Sequence, residues 1–256
     1  MARARKWLQP SHGVYLLGHL VLIATGVAVF THGSVITIAV GTSLFATGVA
    51  GVVVFCYVLV TSIAAQRLAV LTEFGFVDAF DARGVAIKPE YERRVNRARQ
   101  HIDIMGFGLR TLREDYATQF VQWRQRAEIR ILLLDPEVPS ADHSYASQRD
   151  REEGNDAGTI EADVRKFVST TRELVGGEPG HSLKIRLYTC LPSVNVFRVD
   201  NELFWGPYLI REQSRNTPTF VFRRGGVIFE RIMDHFEQIW ADDRLSRPIP
   251  GAWLTE

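Results

Sequence analysis

Five arginines and two glycines in this sequence are of residue types that commonly bind phosphate. The arginines stand around the last predicted strands and at the end of an earlier strand: Arg198, Arg211, Arg223, Arg224 and Arg110. Gly225 and Gly226 lead into a predicted helix, where exposed backbone N–H groups and the helix dipole favour anions. We predict a phosphate site formed by Arg110, Arg198, Arg223, Arg224, Gly225 and Gly226, because guanidinium forks match phosphate oxygens. In the alternative interpretation, the arginines are solvated and pair with nearby glutamates: Glu202, Glu212 and Glu230.

Other kinds of chemistry have little support in the sequence. No Walker-type phosphate loop occurs, and the segment Gly106-Phe-Gly108 is too short for a dinucleotide fingerprint, which favours a tight strand-to-helix turn. The adjacent residues Asp142-His-Ser144 cannot form a hydrolase triad, because a triad is assembled from separate elements. The histidines and the two cysteines, Cys56 and Cys190, show neither metal-ligand spacing nor a disulfide pattern. We therefore predict no metal and no other cofactor.

The elements that would position these residues fall into two parts of different composition. The chain has 256 residues and a formal net charge of +1, yet it has no Lys, Arg, Asp or Glu between Gly13 and Gln66. A near-neutral chain gives no direct evidence for nucleic-acid binding. We predict a two-helix transmembrane hairpin over 1–66 and a juxtamembrane linker over 67–88. A cytosolic domain follows over 89–247, and a tail over 248–256.

Two apolar segments are each long enough to cross a membrane. The first, Gly13 to Thr31, is close to the roughly 20 residues that span a hydrocarbon core. The second, Val35 to about Ala65, is longer, so we expect it to tilt or to continue as a helix into the cytosol. The short connection predicts an antiparallel hairpin in contact with membrane lipids. Small residues such as Gly41 and Gly51 would pack the hairpin or mediate a homo-oligomer.

Basic residues at both ends of the hairpin predict its orientation. Arg3, Arg5 and Lys6 precede the first apolar segment, Arg67 follows the second, and the connection has neither Lys nor Arg. The positive-inside rule then places both termini in the cytoplasm. We predict a multi-pass protein of the inner membrane of the cell. A cleaved signal peptide is the alternative, but a second apolar segment follows almost at once.

The rest of the chain alternates between extended and helical patterns. Strands are predicted at 102–108, 128–135, 182–188, 194–198, 203–208 and 219–223. Helices are predicted at 89–101, 109–127, 159–176 and from 226 to about 243. The segment from Glu137 to Gly158 is rich in polar residues and glycine and is predicted to be a mobile loop. This order predicts a cytosolic α/β domain with a mixed sheet between helix layers.

Several of these segments together resemble a phospholipase-D-like module. They are Ile102 to Leu109, Ile129 to Pro136, the hairpin Asn195 to Tyr208, Thr217 to Gly226, and His235-Phe-x3-Trp240. The resemblance covers roughly Glu90 to Arg247 and implies the mixed sheet and helix layers of that fold.

The resemblance also implies where a catalytic motif would lie. The family signature is His-x-Lys-x4-Asp, in which the histidine is the nucleophile that accepts the phosphoryl group. In this sequence Ser193 stands at the histidine position, Asn195 at the lysine position and Asp200 at the aspartate position. Serine has no imidazole and asparagine has no positive charge. We therefore predict a degenerate motif that does not support phosphodiester cleavage.

These observations predict a membrane-anchored, catalytically degenerate sensor or effector. Its ligand would be a nucleotide or another phosphorylated molecule, and its setting bacterial signalling or antiviral defence. Two alternatives stay open. One is a membrane-bound phosphodiesterase or phospholipase that depends on Asp200 or a nearby histidine. The other is a scaffold that binds another protein through the acidic loop at 137–158.

Overall fold

The structure, a computed structural model, describes residues 10–82 and 87–255. It separates into two compact units, and the boundary lies between Val70 and Leu71. The predicted orientation of the hairpin rests on Arg3, Arg5 and Lys6, which lie outside the described residues.

The first unit consists of two long apolar helices, α1 (Pro10–Phe30) and α2 (Val35–Glu73). Both are long and apolar enough to cross a membrane, which supports membrane association. The α2 helix has 39 residues and extends past the predicted end near Ala65. Neither glycine nor proline interrupts it from there to Glu73, and it ends just before Gly75, whose φ of +76° is left-handed.

Glycines allow α1 and α2 to pack closely. A Cβ atom on Gly26 would lie 2.8 Å from the carbonyl oxygen of Gly41, and one on Gly41 would lie 2.7 Å from the carbonyl oxygen of Gly26. The ring of His19 packs against Gly51, where a Cβ atom would overlap the ring. Gly41 and Gly51 therefore pack the hairpin, as one of the two sequence interpretations predicts.

The described part of the second unit is built on one nine-stranded sheet. Its strands are β1 (Phe76–Phe80), β2 (His101–Gly106), β3 (Glu128–Leu134), β4 (Gly176–Glu178), β5 (His181–Tyr188), β6 (Val194–Val199), β7 (Glu202–Pro207), β8 (Thr219–Arg223) and β9 (Ser246–Pro248). The spatial order is β1-β8-β7-β6-β2-β3-β5-β4, and β9 pairs with β5. Strands β2, β3 and β5 are parallel, and the other pairings are antiparallel. The predicted mixed α/β domain is confirmed.

Helices cover both faces of this sheet. They are α3 (Lys88–Val95), α4 (Arg110–Tyr116), α5 (Phe120–Arg124), α6 (Tyr145–Glu153), α7 (Thr159–Thr171), α8 (Val227–Ala241) and α9 (Gly251–Thr255). The α8 helix lies on the face that carries Arg198, whose guanidinium is 6.0 Å from the Phe229 ring. The neighbouring residue Phe197 points to the other face, where its ring packs 4.6 Å from that of Tyr91 in α3. The sheet therefore lies between helix layers.

Residues 76–80 form the edge strand β1, although the sequence predicts a linker there. This strand pairs antiparallel with β8, so that Phe76 lies opposite Phe222 and Phe80 opposite Thr219. The three middle residues of β1 are exposed. An exposed edge strand has no alternating apolar pattern, so its pairing partner, distant in sequence, determines the structure.

Part of the predicted mobile loop at 137–158 is the helix α6. Its first turn is capped by Ser144, whose Oγ accepts a hydrogen bond of 3.1 Å from the backbone nitrogen of Ser147. Arg149 of this helix is buried and donates to the carbonyl oxygen of Leu209, 60 positions further along the chain. The polar, glycine-rich composition of the segment predicts a mobile loop. Composition does not show the contact with Leu209, because this partner is distant in sequence.

Two further predictions need correction. The helix predicted at 109–127 is divided into α4 and α5, which end at Tyr116 and Arg124. The predicted tail at 248–256 contains the short helix α9, and its Trp253 is buried beneath the guanidinium of Arg165 at 4.3 Å. This aromatic contact orders a segment that has little helical pattern of its own.

Candidate ligand-binding cleft

A cleft of about 300 Å³ opens at the carboxyl end of β2. On one side β2 pairs in parallel with β3, and on the other side it pairs antiparallel with β6. Open α/β sheets bind ligands beyond the carboxyl ends of their strands, where the topology changes. The volume is at the lower end of the range found for small-molecule sites.

A tight turn carries the chain from β2 into α4 beside this cleft. Gly108 packs against α7, since a Cβ atom there would lie 3.3 Å from the carbonyl oxygen of Ile160. Leu109 then adopts a left-handed φ of +50° immediately before α4. The predicted strand-to-helix turn at Gly106 to Gly108 is confirmed, and it places Arg110 at the cleft.

Much of the cleft wall is apolar. Its apolar side chains come from β2, β6, the turn after β2 and α3, and they include Ile104, Met105, Phe107, Leu109, Val196, Phe197 and Tyr91. The Tyr208 ring also lines the cleft and packs 4.1 Å from the Phe107 ring. Such a wall suits the planar or apolar part of a small ligand.

Two cations at the cleft have carboxylate partners. Lys88 Nζ donates a hydrogen bond of 2.8 Å to Asp115, and this bond raises the pKa of Lys88. Arg110 Nε donates to both carboxylate oxygens of Asp163, at 3.0 and 2.9 Å, and these bonds raise the pKa of Arg110. Both side chains are therefore positively charged at neutral pH.

Two other cleft groups lack such partners within residues 10–82 and 87–255. Arg215 Nε donates to the side-chain oxygen of Gln213 at 2.9 Å, but its guanidinium forms no ion pair there. Tyr116 is 5% exposed, and its hydroxyl has no hydrogen-bond partner among these residues. Burial raises the pKa of Tyr116, so the phenol stays protonated and can donate a hydrogen bond.

Arg149 of α6 holds the segment that carries Arg215. Its guanidinium donates to the carbonyl oxygens of Leu209 and Glu212, at 2.8 and 2.6 Å. The same group lies 5.5 Å from the Tyr208 ring. Because Arg149 is buried, these charge-assisted bonds fix the path of the chain from 208 to 215 along one side of the cleft.

Of the residues that the sequence proposes for a phosphate site, Arg110 lines this cleft. Asn195, at the lysine position of the family signature, also lines it and is buried. Its Nδ2 donates to the carbonyl oxygen of Gly206 at 2.6 Å. Ser193, at the histidine position, is exposed in the segment just before β6.

Arg198 belongs to a buried network on the α8 face of the sheet. Its Nη1 donates to Asp103 Oδ2 at 2.8 Å, while Asp103 Oδ1 accepts from Arg130 Nε at 2.7 Å. Arg130 also pairs with Glu237. Burial lowers the pKa of Arg130, but its hydrogen bonds to Glu237 and Asp103 outweigh burial and raise it. Arg198 therefore forms an ion pair in the interior of the domain.

Asp200 lies at the far end of β6 from the cleft. Its carboxylate accepts 2.9 Å hydrogen bonds from the backbone nitrogens of Arg99, Gln100 and His101. These bonds tie the β6–β7 turn to the start of β2. Asn195 and Asp200 are five residues apart along an extended chain, about 16 Å.

The remaining predicted residues lie at this same far end. Arg224 donates its backbone N–H to the carbonyl oxygen of Asn201 at 2.8 Å, and Arg223 is the last residue of β8. The Gly225 N–H donates to Glu230 Oε1 at 2.8 Å, so a carboxylate of the protein occupies the anion position before α8. Gly226 packs against Gly75, where a Cβ atom would lie 2.6 Å from the Gly75 nitrogen.

The six predicted phosphate ligands are thus distributed over three places in the domain. Sequence reasoning missed several cleft groups: Lys88, Asp115, Tyr116, Asp163 and Arg215. A usable signal was present in the predicted turn after β2, since a strand that ends in glycines marks a common ligand position. In the described ranges, 10–82 and 87–255, no group of His, Cys, Asp and Glu side chains could hold a metal ion.

Comparisons with known proteins do not assign a family. No model of a protein family matches the chain, and no curated protein matches it. Among solved structures, the chain is similar to TrmBL2, an archaeal chromatin protein whose structure shows a novel mode of DNA binding. The identity is 13% and the TM-score 0.40, over 82% of this chain and 70% of that chain. A similarity at this level carries no argument about function.

Proposed function

We propose that this protein is a membrane-anchored, catalytically inactive phospholipase-D-like sensor that binds a small phosphorylated molecule in the cleft at the carboxyl end of β2. The observation that carries the proposal is the meeting of an apolar wall and the cations Arg110 and Arg215 in one cleft. A nucleotide combines a planar base with a phosphate, and so has one part for each of these surfaces.

Arg215 is the cation best placed to bind the phosphate group. It forms no ion pair with the described residues, so a ligand need not displace a carboxylate from it. Arg110 can also turn to a ligand, because Asp163 keeps a second partner in Arg113 at 3.5 Å. The release of Arg110 therefore leaves no unpaired carboxylate.

Tyr116 also lines this cleft, and its hydroxyl oxygen is shielded from solvent. Its buried, protonated hydroxyl has no partner among the described residues, which is costly for a buried polar group. A ligand with an acceptor atom, such as a base nitrogen or a carbonyl oxygen, would remove that cost once Tyr116 turns its hydroxyl into the cleft. Nearby rings of Tyr91 and Phe107 would contact the planar part of the ligand.

The residues at the family's motif positions support a binding role instead of catalysis. A phosphohistidine mechanism needs a nucleophilic imidazole, a cation for the phosphate oxygens and an acid for the leaving group. Ser193 and Asn195 supply neither the first nor the second. The carboxylate of Asp200 accepts three backbone hydrogen bonds at the other end of β6.

Membrane attachment gives such a sensor its place of action. In our proposal α1 and α2 anchor the protein in the inner membrane, both termini lie in the cytoplasm, and ligand binding changes the packing or oligomerisation of the helices. This would suit bacterial signalling or antiviral defence. The support comes from the two long apolar helices and the close glycine contact between Gly26 and Gly41.

Isothermal titration calorimetry on the full chain in lipid nanodiscs tests the proposal. The probes are adenosine monophosphate, a cyclic dinucleotide and inorganic phosphate. We expect at least one nucleotide to bind, and Arg215→Ala to weaken its binding about tenfold or more, since a hydrogen bond to a charged group contributes about 1.5–3 kcal/mol. Arg244→Ala is the matched control, because Arg244 is exposed and outside the cleft.

Two results would contradict this assignment. One is the absence of binding heat with all three probes. The other is unchanged affinity when Arg110 and Arg215 are both replaced by alanine. Hydrolysis of a nucleotide probe that is lost in Asp200→Asn would favour the phosphodiesterase alternative.

A further inference from the structure

Four exposed arginines surround the turn between β6 and β7, at the end of the sheet opposite the cleft. They are Arg97, Arg99, Arg223 and Arg224. Two backbone hydrogen bonds bring their segments together around this turn: Arg99 N–H donates to Asp200, and Arg224 N–H donates to Asn201. None of the four guanidinium groups forms an ion pair with a residue that the structure describes.

Nearby carboxylates already have other partners. Asp200 accepts three backbone N–H bonds, and Glu202, which lies opposite Arg223 in the strand register, accepts from Arg94 Nε at 2.8 Å. Glu230 accepts from the backbone of Gly225 at 2.8 Å. Asp200 and Glu230 bind neutral N–H groups and keep their negative charges, but the four arginines outnumber these two carboxylates, and the turn is a basic surface.

This surface lies where the chain enters the second unit from α2. The Arg223 N–H donates to the carbonyl oxygen of Gly75 at 2.9 Å, and Gly75 follows the last residue of α2 by two positions. The uncharged stretch of α2 ends at Gln66, and the first charge is Arg67. Gly75 follows Arg67 by eight positions, which corresponds to about 12 Å at helical rise. This distance is close to the Debye length of about 8 to 10 Å.

We propose that these four arginines dock on the phosphate headgroups of anionic phospholipids in the membrane leaflet from which α2 emerges. Guanidinium groups form paired hydrogen bonds with phosphate, and basic residues beside a membrane span are attracted to anionic lipid. Free phosphate offers the same chemistry, but the covalent link to an apolar helix favours the lipid surface. The docking surface is separate from the cleft, so it does not depend on the proposed sensor function.

Hydrogen–deuterium exchange of the full chain in nanodiscs tests this docking. One set of nanodiscs contains phosphatidylcholine alone, and the other contains phosphatidylcholine with phosphatidylserine. We expect peptides that contain Asp200 and Asn201 to exchange hydrogen for deuterium more slowly in the nanodiscs that contain phosphatidylserine. The exchange rate should fall about fivefold for each arginine that contacts lipid. High salt should abolish the difference, because it shortens the Debye length to about 3 Å at 1 M.

Variants separate docking from general changes in the fold. Arg223→Gln combined with Arg224→Gln should remove the slowing, and Arg99→Gln alone should reduce it. Arg215→Gln, at the cleft, should leave it unchanged. Exchange of peptides in β5 reports whether each variant keeps its fold, since β2 and β3 lie between β5 and β6 in the sheet.

The proposal would be overturned by equal exchange in the two lipid compositions. It would also be overturned if the glutamine variants kept the full slowing. Inorganic phosphate added to phosphatidylcholine nanodiscs should have no effect. Slowing by phosphate alone would identify a free-anion site in place of a lipid surface.

Discussion

Replacement of Asp103 by asparagine removes the negative charge at the centre of the buried network on the α8 face. Asp103 is fully buried, and its two oxygens accept hydrogen bonds from Arg130 and Arg198 at 2.7 and 2.8 Å. Asparagine has nearly the same shape, but its NH₂ group would face one of these donors. The variant therefore tests whether Arg198 has a structural role or is available to a ligand.

The expected cost follows from the partners that remain. Arg130 keeps Glu237, whereas the Arg198 side chain is 6% exposed and keeps no carboxylate partner among the described residues. A buried charge that loses its partner costs about 3–5 kcal/mol. This is about a fifth or more of the free energy of unfolding of a typical domain. Asp103→Leu combined with Arg198→Met should restore much of the loss, because an apolar pair leaves no buried charge.

Urea unfolding of the chain in nanodiscs, followed by tryptophan fluorescence, measures these changes. Asp243→Asn is the control, since the Asp243 side chain is 88% exposed, and we expect little loss of stability. A loss below about 1 kcal/mol in Asp103→Asn would refute the reasoning. So would a stable Arg198→Met variant that no longer binds a nucleotide, because Arg198 would then serve the ligand.

Two further variants test the packing and the pH dependence of the second unit. Gly226→Ala should reduce stability by about 1–3 kcal/mol in urea unfolding, because its Cβ would press on the backbone of Gly75, whereas Gly251→Ala has open space and should not. Burial lowers the pKa of His235, so the unfolded chain binds a proton at higher pH. Stability should therefore fall as the pH drops below about 6.5, and His235→Gln should flatten that fall. Equal stability of the two glycine variants, or a rise in stability on acidification, would contradict these expectations.

Much of the secondary structure could be predicted because its signals are local. The continuous apolar run in β3 indicates a strand buried on both faces, and Thr219 to Arg223 is a strand with the predicted bounds. The β1 strand and the α6 helix were missed because each depends on a distant partner. For β1 this partner is β8, and for α6 it includes the carbonyl groups of Leu209 and Glu212.

The candidate site was harder to predict because residue type does not specify which partner a charge will have. Arg198 and Arg215 are the same kind of side chain, yet one is buried against Asp103 and the other lines the cleft without an ion pair to the described residues. The sequence correctly marks the turn after β2, but it does not show that Lys88 and Tyr116 converge there.

The amino-acid sequence by itself determined the division into an apolar helix pair and a mixed α/β domain. Hydropathy and periodicity are properties of neighbouring residues, and water and lipid act on them directly. Tertiary structure alone decided which arginines are internal, which line the cleft and which form no ion pair with another described residue. Those outcomes depend on strand order and register, which bring together charges from distant parts of the chain and decide which of them remain available for a ligand.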